Sequence, residues 1–224
     1  MKKFVRENGL SLAFGVLLLL GLVGQAISGV AEYNGQATAD GVDQISLLSY
    51  LGTSDFGVDV AENWQSEYLQ FLLFVFFTVW LVQRGSPESK ELDRVGRESD
   101  EDQQVGEYAE PDSPKWARAS GWRLAIYSRS LGLVMGALFL GSWLAQSIAG
   151  QSAYNEQQLR QLEEPVSWAG YLASADFWNR TTQNWQSEFL AVASMAVLAI
   201  YLRQRGSPES KPVGAPHDAT GVEG

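Results

Sequence analysis

Glu67 and Glu188 are the residues whose type and spacing best suit chemistry. Each closes a five-residue motif, Asn63-Trp64-Gln65-Ser66-Glu67 and Asn184-Trp185-Gln186-Ser187-Glu188, and the two copies lie 121 residues apart. Each motif opens into an apolar run, so each carboxylate falls near the end of a candidate membrane-spanning helix. An ionisable group there is costly to leave unpaired, and acids so placed mark proton or cation pathways. With Gln65, Gln186, Gln25 and Gln146 as neutral oxygen donors or a hydrogen-bond chain, the two acids form a candidate polar site for a proton or cation. A structural role explains the same residues. Asn63 and Asn184 suit helix N-caps, a glutamate in the first turn complements the helix dipole, and Trp64 and Trp185 suit interface anchors. Gln25 and Gln146 also suit hydrogen bonds between helices, worth about 0.6–2 kcal/mol each.

Other chemistry is missing from the sequence. The absence of cysteine removes disulfides and thiolate metal sites, and the single histidine, His217, sits in a Pro- and Gly-containing tail. There is no phosphate loop, nucleophile triad or histidine-rich metal motif. No catalytic residue, metal or cofactor is therefore assigned, and no nucleic-acid partner is expected.

The elements that must position these residues emerge from the repeat. Arg84-Gly85-Ser86-Pro87-Glu88-Ser89-Lys90 returns as Arg205 to Lys211, and Gln25, Ile27, Gly29, Tyr33 and Asn34 return as Gln146, Ile148, Gly150, Tyr154 and Asn155, all at the same offset. This is the mark of a tandem duplication of one supersecondary unit. A net charge of -10, a pI near 4.6 and a mean hydropathy of -0.11 resemble those of a soluble acidic protein. These averages mix apolar runs with a charged linker, so a windowed reading is needed. Leu10–Ile27, Glu67–Val82, Leu131–Ile148 and Glu188–Leu202 are apolar runs approaching the roughly 20 residues that a helix needs to cross a bilayer. Extending the second and fourth back through Asn63-Trp64 and Asn184-Trp185 supplies a further turn. Four transmembrane helices are expected. The first run, behind Lys2, Lys3 and Arg6, also fits a secretory leader, but its counterpart Leu131–Ile148 is internal, so a retained helix is expected.

Lys and Arg cluster at the N-terminus, between the repeats and after the fourth run, whereas residues 30–62 hold none. The positive-inside rule then places both termini and the central segment in the cytoplasm of a multi-pass protein of the cell membrane. Two hairpins of the same orientation make a parallel repeat. The expected fold class is an all-α membrane protein: four transmembrane helices arranged as two parallel-repeat hairpins, with short outer interfacial helices beginning at Ser46 and Ser167. Its parts are a first hairpin over 1–90, an acidic flexible linker over 91–114, an interfacial helix and second hairpin over 115–211, and a disordered tail over 212–224. In Arg84-Gly85-Ser86-Pro87 and its copy, Arg, a left-handed Gly cap and Pro end a helix. That signal leaves the following Glu-Ser-Lys unexplained.

Gln-x-Ile-x-Gly-x-x-x-Tyr-Asn, Asn-Trp-Gln-Ser-Glu and Gln-Arg-Gly-Ser-Pro-Glu-Ser-Lys together resemble an uncharacterised prokaryotic family of small integral membrane proteins, classed as a domain of unknown function. The resemblance covers both repeats and implies an integral membrane protein without assigning an activity. Two functions follow as expectations. One is a non-enzymatic structural or accessory component of a membrane assembly, with the lipid bilayer and a second copy or another membrane protein as partners. The other is a small oligomeric channel or transporter for protons or cations that uses the repeated Glu pair.

Overall fold

The computed structural model describes residues 2–222, with Lys2 described through its backbone alone. Among the described residues there are eight α-helices and no strand. They are α1 (Lys2–Glu7), α2 (Gly9–Ala39), α3 (Leu47–Tyr50), α4 (Ser54–Trp80), α5 (Trp122–Tyr127), α6 (Ser130–Arg160), α7 (Trp168–Leu172) and α8 (Ala175–Tyr201). Between α4 and α5 the chain has one short 3-10 turn at Gly106–Tyr108, and from Leu202 to Val222 it has no regular element.

Among the described residues two helices, not four, are long and apolar enough to cross a membrane: α2 and α6. The reason lies in where α4 and α8 begin and end. Both start well before the expected apolar run, so Asp55, Asp59 and Glu62, and Asp176, Asn179 and Arg180, occupy their first turns. Both also stop at Trp80 and Tyr201, short of Val82 and Leu202. The apolar remainder is shorter than the roughly 20 residues that a span requires.

The chain divides into two compact units. The first comprises residues 1–61 and 145–177. Its local architecture is set by polar side chains closing the backbone of the turns. Asn34 donates to the Ile45 carbonyl (2.9 Å) and accepts from the Ile45 amide (2.8 Å), and Asn155 does the same for Val166 (3.0 and 2.8 Å). Ser46 and Ser167 each accept an amide hydrogen bond at 3.1 Å, from Ser49 and Gly170, which caps the short helices α3 and α7. Tyr50 of α3 and Tyr171 of α7 are buried with their hydroxyl ends against the helix backbone at Gly29 and Gly150. A Cβ at Gly29 would lie 2.8 Å from the Tyr50 ring, and one at Gly150 would lie 2.9 Å from the Tyr171 ring. Only a residue without a side chain permits that approach. Tyr50 also meets Phe56 edge-on, as Tyr171 meets Phe177.

The second unit comprises residues 62–144 and 178–224. Here α4, α6 and α8 pack through small and aromatic groups. Phe76 of α4 lies over Gly132 and Leu72 lies near Gly136, the two glycines of the Gly-x-x-x-Gly in α6. Trp143 stacks on Phe139 and meets Trp178 and Trp185 of α8.

Candidate functional site

Asn63 and Asn184 lie inside α4 and α8 and are not their N-caps. Thr53 and Ser174 occupy that position, accepting from the amides of Phe56 (3.3 Å) and Phe177 (3.2 Å). The carbonyls of Asn63 and Asn184 instead accept from the hydroxyls of Ser66 and Ser187, each at 2.9 Å. Trp64 is exposed, whereas Trp185 is half-buried and donates its indole N–H to Gln65 Oε1 at 2.8 Å. Gln65 is fully buried, and its Nε2 has no hydrogen-bond partner among the described residues. Gln186, at the corresponding position of the other copy, is exposed. Identical motifs thus do different work in the two copies.

Within the second unit, Glu67 is exposed and Glu188 is half-buried. Glu188 lies near Ser66 and close enough to Glu67 for their charges to interact. Above these acids, Arg180 and Glu62 form an ion pair of 3.1 Å. Gln25 and Gln146 belong to the first unit, where Gln25 is half-buried and Gln146 fully buried. That unit has its own charged cluster: Arg160 pairs with Glu156 at 2.6 Å and Asp40 at 3.2 Å, and Tyr33 donates to Glu156 at 3.0 Å.

A second acidic pair, in the second unit, was not singled out by sequence reasoning. Glu88 and its counterpart Glu209 lie near one another. Burial first, and then the neighbouring Glu209 carboxyl, push the Glu88 carboxyl above its ordinary range. Several other retained residues of this turn have structural tasks. Gly85 and Gly206 take φ of +86° and +80°. The hydroxyls of Ser89 and Ser210 accept from the amides of Gln83 and Gln204, each at 2.9 Å. Lys90 donates to the Gly96 carbonyl (2.9 Å) and pairs with Glu98 (2.8 Å). Lys211 is buried and donates to the carbonyls of Pro216, His217 and Ala219 at 3.2, 2.8 and 3.1 Å. The signal that marked Glu88 was present: Glu-Ser-Lys survives in both copies beyond what a helix stop requires.

Glu88 also lines a cavity of about 470 Å³ walled by α4, α8 and the turn after α4. Leu73, Phe74, Phe77, Phe189 and Val192 make its walls, while Gln83, Ser86, Glu88 and Ser89 gather where the turn closes it. Gln70 also lines it, and its Oε1 is buried without a hydrogen-bond partner. Among the described residues no group of His, Cys, Asp and Glu is arranged to hold a metal.

The fold and these sites define a class: an all-helical protein with two helices apolar and long enough to cross a membrane. The chain belongs to the family described as Domain of unknown function (DUF6766), whose pattern matches residues 1–222. Neither the curated proteins nor the solved structures give a match to it.

Proposed function

We propose that this chain is a non-enzymatic protein of the cell membrane, a structural or accessory component of a membrane assembly with both termini in the cytoplasm, in which α2 and α6 span fully and the 27-residue helices α4 and α8 cross beside them with their polar first turns at the outer surface. One observation carries the membrane reading. Only 6% of the most apolar stretch of α2 and 11% of that of α6 is buried within the protein. Leu17, Leu18, Leu19 and Leu20 are each more than half exposed. A core helix of a water-soluble protein buries such a face, because apolar area left in water forgoes about 25 cal/mol per Å². In hydrocarbon the same exposure is unremarkable. The structural role is supported by the duplicated residues themselves: Asn34, Asn155, Ser46, Ser167, Ser89 and Ser210 are all engaged with backbone groups.

The absence of native cysteine makes the test direct. Single cysteines at Asp43, Glu101, Gln161 and Gly214 are labelled in intact cells with a membrane-impermeant maleimide. The proposed topology requires labelling at positions 43 and 161 from outside and at 101 and 214 only after the cells are opened. Labelling of position 101 in intact cells would overturn the orientation, and recovery of the protein in the soluble fraction would overturn the membrane reading.

A second reading, proton or cation passage through an oligomer, is favoured by the half-buried Glu188 beside Ser66 and Glu67. Flux into liposomes, compared between wild type and Glu67→Gln/Glu188→Gln of equal verified folding, decides it. Flux lost in the double variant supports passage. No flux in either protein, with a lower melting temperature in the variant, supports the structural role.

A further inference from the structure

We propose that residues 115–129, which lead into α6, form a docking surface for the anionic phospholipids of the cytoplasmic leaflet. The segment carries Lys115, Arg118, Arg123 and Arg129 and no Asp or Glu, in a chain whose net charge is -10. Aromatic side chains are interleaved with these cations. Trp116 and Trp122 meet edge to face with their ring centres 6.2 Å apart, which joins the turn at 115–118 to α5, and the Arg123 guanidinium lies 5.5 Å from the centre of the Trp122 ring. Trp116, Trp122, Ile126 and Tyr127 are all exposed. Trp122 and Ile126, four residues apart on α5, share one face. In water these rings stay unburied, whereas the headgroup level of a bilayer accommodates both their apolar body and their polar N–H.

The sign of the partner follows from the charges of the whole region. Among the described residues none of the four cations forms an ion pair. Arg118 donates to the carbonyls of Ser113 (2.9 Å from Nε) and Pro111, and Arg129 to that of Ala125 (2.9 Å). These acceptors are neutral, so the positive charge stays in place. The acids nearest along the chain, Glu107, Glu110 and Asp112, are exposed and pair with none of the four, even though a 2.8 Å bond from the Gly106 amide to the Ala117 carbonyl ties the Glu107 turn to the segment. Further back, Glu98 pairs with Lys90 and Asp102 accepts from Ser99. Four uncompensated cations therefore sit beside two exposed indoles, immediately before an apolar helix of membrane length. Lipid phosphates balance the charge and the headgroup boundary takes the rings, each basic side chain near an anionic leaflet strengthening the contact about fivefold. A soluble acidic partner answers the charges alone. The inference rests on the membrane reading proposed above and adds a lipid preference to it.

The test uses the full chain, free of native cysteine, with a nitroxide spin label at Ile126→Cys, in nanodiscs of phosphatidylcholine with increasing phosphatidylglycerol. Access of oxygen and of nickel ethylenediaminediacetate to the label reports its depth, and both reagents are neutral, so surface charge does not bias them. Phosphatidylglycerol is expected to bury the label, and salt at about 1 M to release it, because the screening length there is about 3 Å. Lys115→Gln/Arg123→Gln is expected to lower the docked-to-undocked ratio about fivefold for each charge removed. Equal burial in pure phosphatidylcholine would assign docking to the indoles alone and overturn the proposal. A label that stays exposed at every phosphatidylglycerol content would overturn it too, as would one buried only when heparin is added, the mark of an acidic macromolecule as partner. Co-elution of the chain with phosphatidylcholine nanodiscs tests the membrane reading separately, since that reading requires it whatever the lipid preference. If the double variant does not fold, the lipid and salt series on the singly labelled chain decide the matter alone.

Discussion

A tyrosine ring packs closely against bare helix backbone twice in the first unit, Tyr50 at Gly29 and Tyr171 at Gly150. Gly29→Ala and Gly150→Ala are each expected to cost about 1–3 kcal/mol through overpacking. Gly35→Ala, where nothing lies within 4 Å, should be neutral or stabilising by up to about 1 kcal/mol. Denaturant unfolding of the three variants in one detergent tests the contrast. Glu88 gives a prediction of a different kind. Its carboxyl holds its proton more tightly in the folded protein than in the unfolded chain, chiefly through burial and then through Glu209. The stability this contributes is present at low pH and is lost as pH rises from the ordinary carboxyl value of 4.5 through the raised folded value. Above that window the contribution is flat. Glu88→Gln should remove the slope within the window, and melting midpoints measured across pH would show whether it does.

At the scale of elements, the connections after α2 and α6 are fixed by an asparagine that closes a backbone bond in both directions. Asn34→Ala strands an amide and a carbonyl, and Asn155→Ala strands the Val166 amide while Gln151 still donates to the Val166 carbonyl, at an expected cost of about 1–3 kcal/mol each. Asn34→Asp keeps the acceptor and loses the donor, and should fall between wild type and alanine. Hydrogen exchange at the Ile45 and Val166 amides is the direct readout, since protection should fall at the altered connection alone. The α4 and α8 boundaries carry a second lesson. Asn63 and Asn184 have the right residue type for caps, yet Thr53 and Ser174 take that role because helix-forming residues precede the motifs and the helices nucleate earlier. Residue type nominates a cap, and the length of compatible chain upstream decides which nominee is used.

At the scale of the molecule, the apolar faces of α2 and α6 are exposed, as the proposed membrane setting requires. Leu18 is 55% exposed on α2. In water Leu18→Arg would be a tolerated surface change. In a bilayer it should cost about 2.5–3.5 kcal/mol of insertion free energy at mid-helix. An assay of the inserted fraction of α2 separates the two, and unchanged insertion would count against the membrane reading.

The sequence alone determined that the chain is helical and that its turns recur, because apolar runs, serine caps and Gly-Pro stops act over a few residues and leave a local imprint. The family resemblance read from the three motifs likewise agrees with the domain of unknown function to which the chain belongs. Tertiary structure decided how far each helix runs, and therefore that, among the described residues, α2 and α6 alone meet the length and apolarity of a span. It also decided which copy of a repeated residue is buried. Gln65 and Gln186 are the same residue in the same motif, yet one is sealed under the Trp185 indole and the other faces outward. Glu88 and Glu209, 121 positions apart, come close enough to interact, a proximity that no local pattern encodes. Spacing fixes neighbours along one helix, but the partner across a fold depends on how separate elements pack, and two identical motifs cannot both occupy the same side of an asymmetric contact.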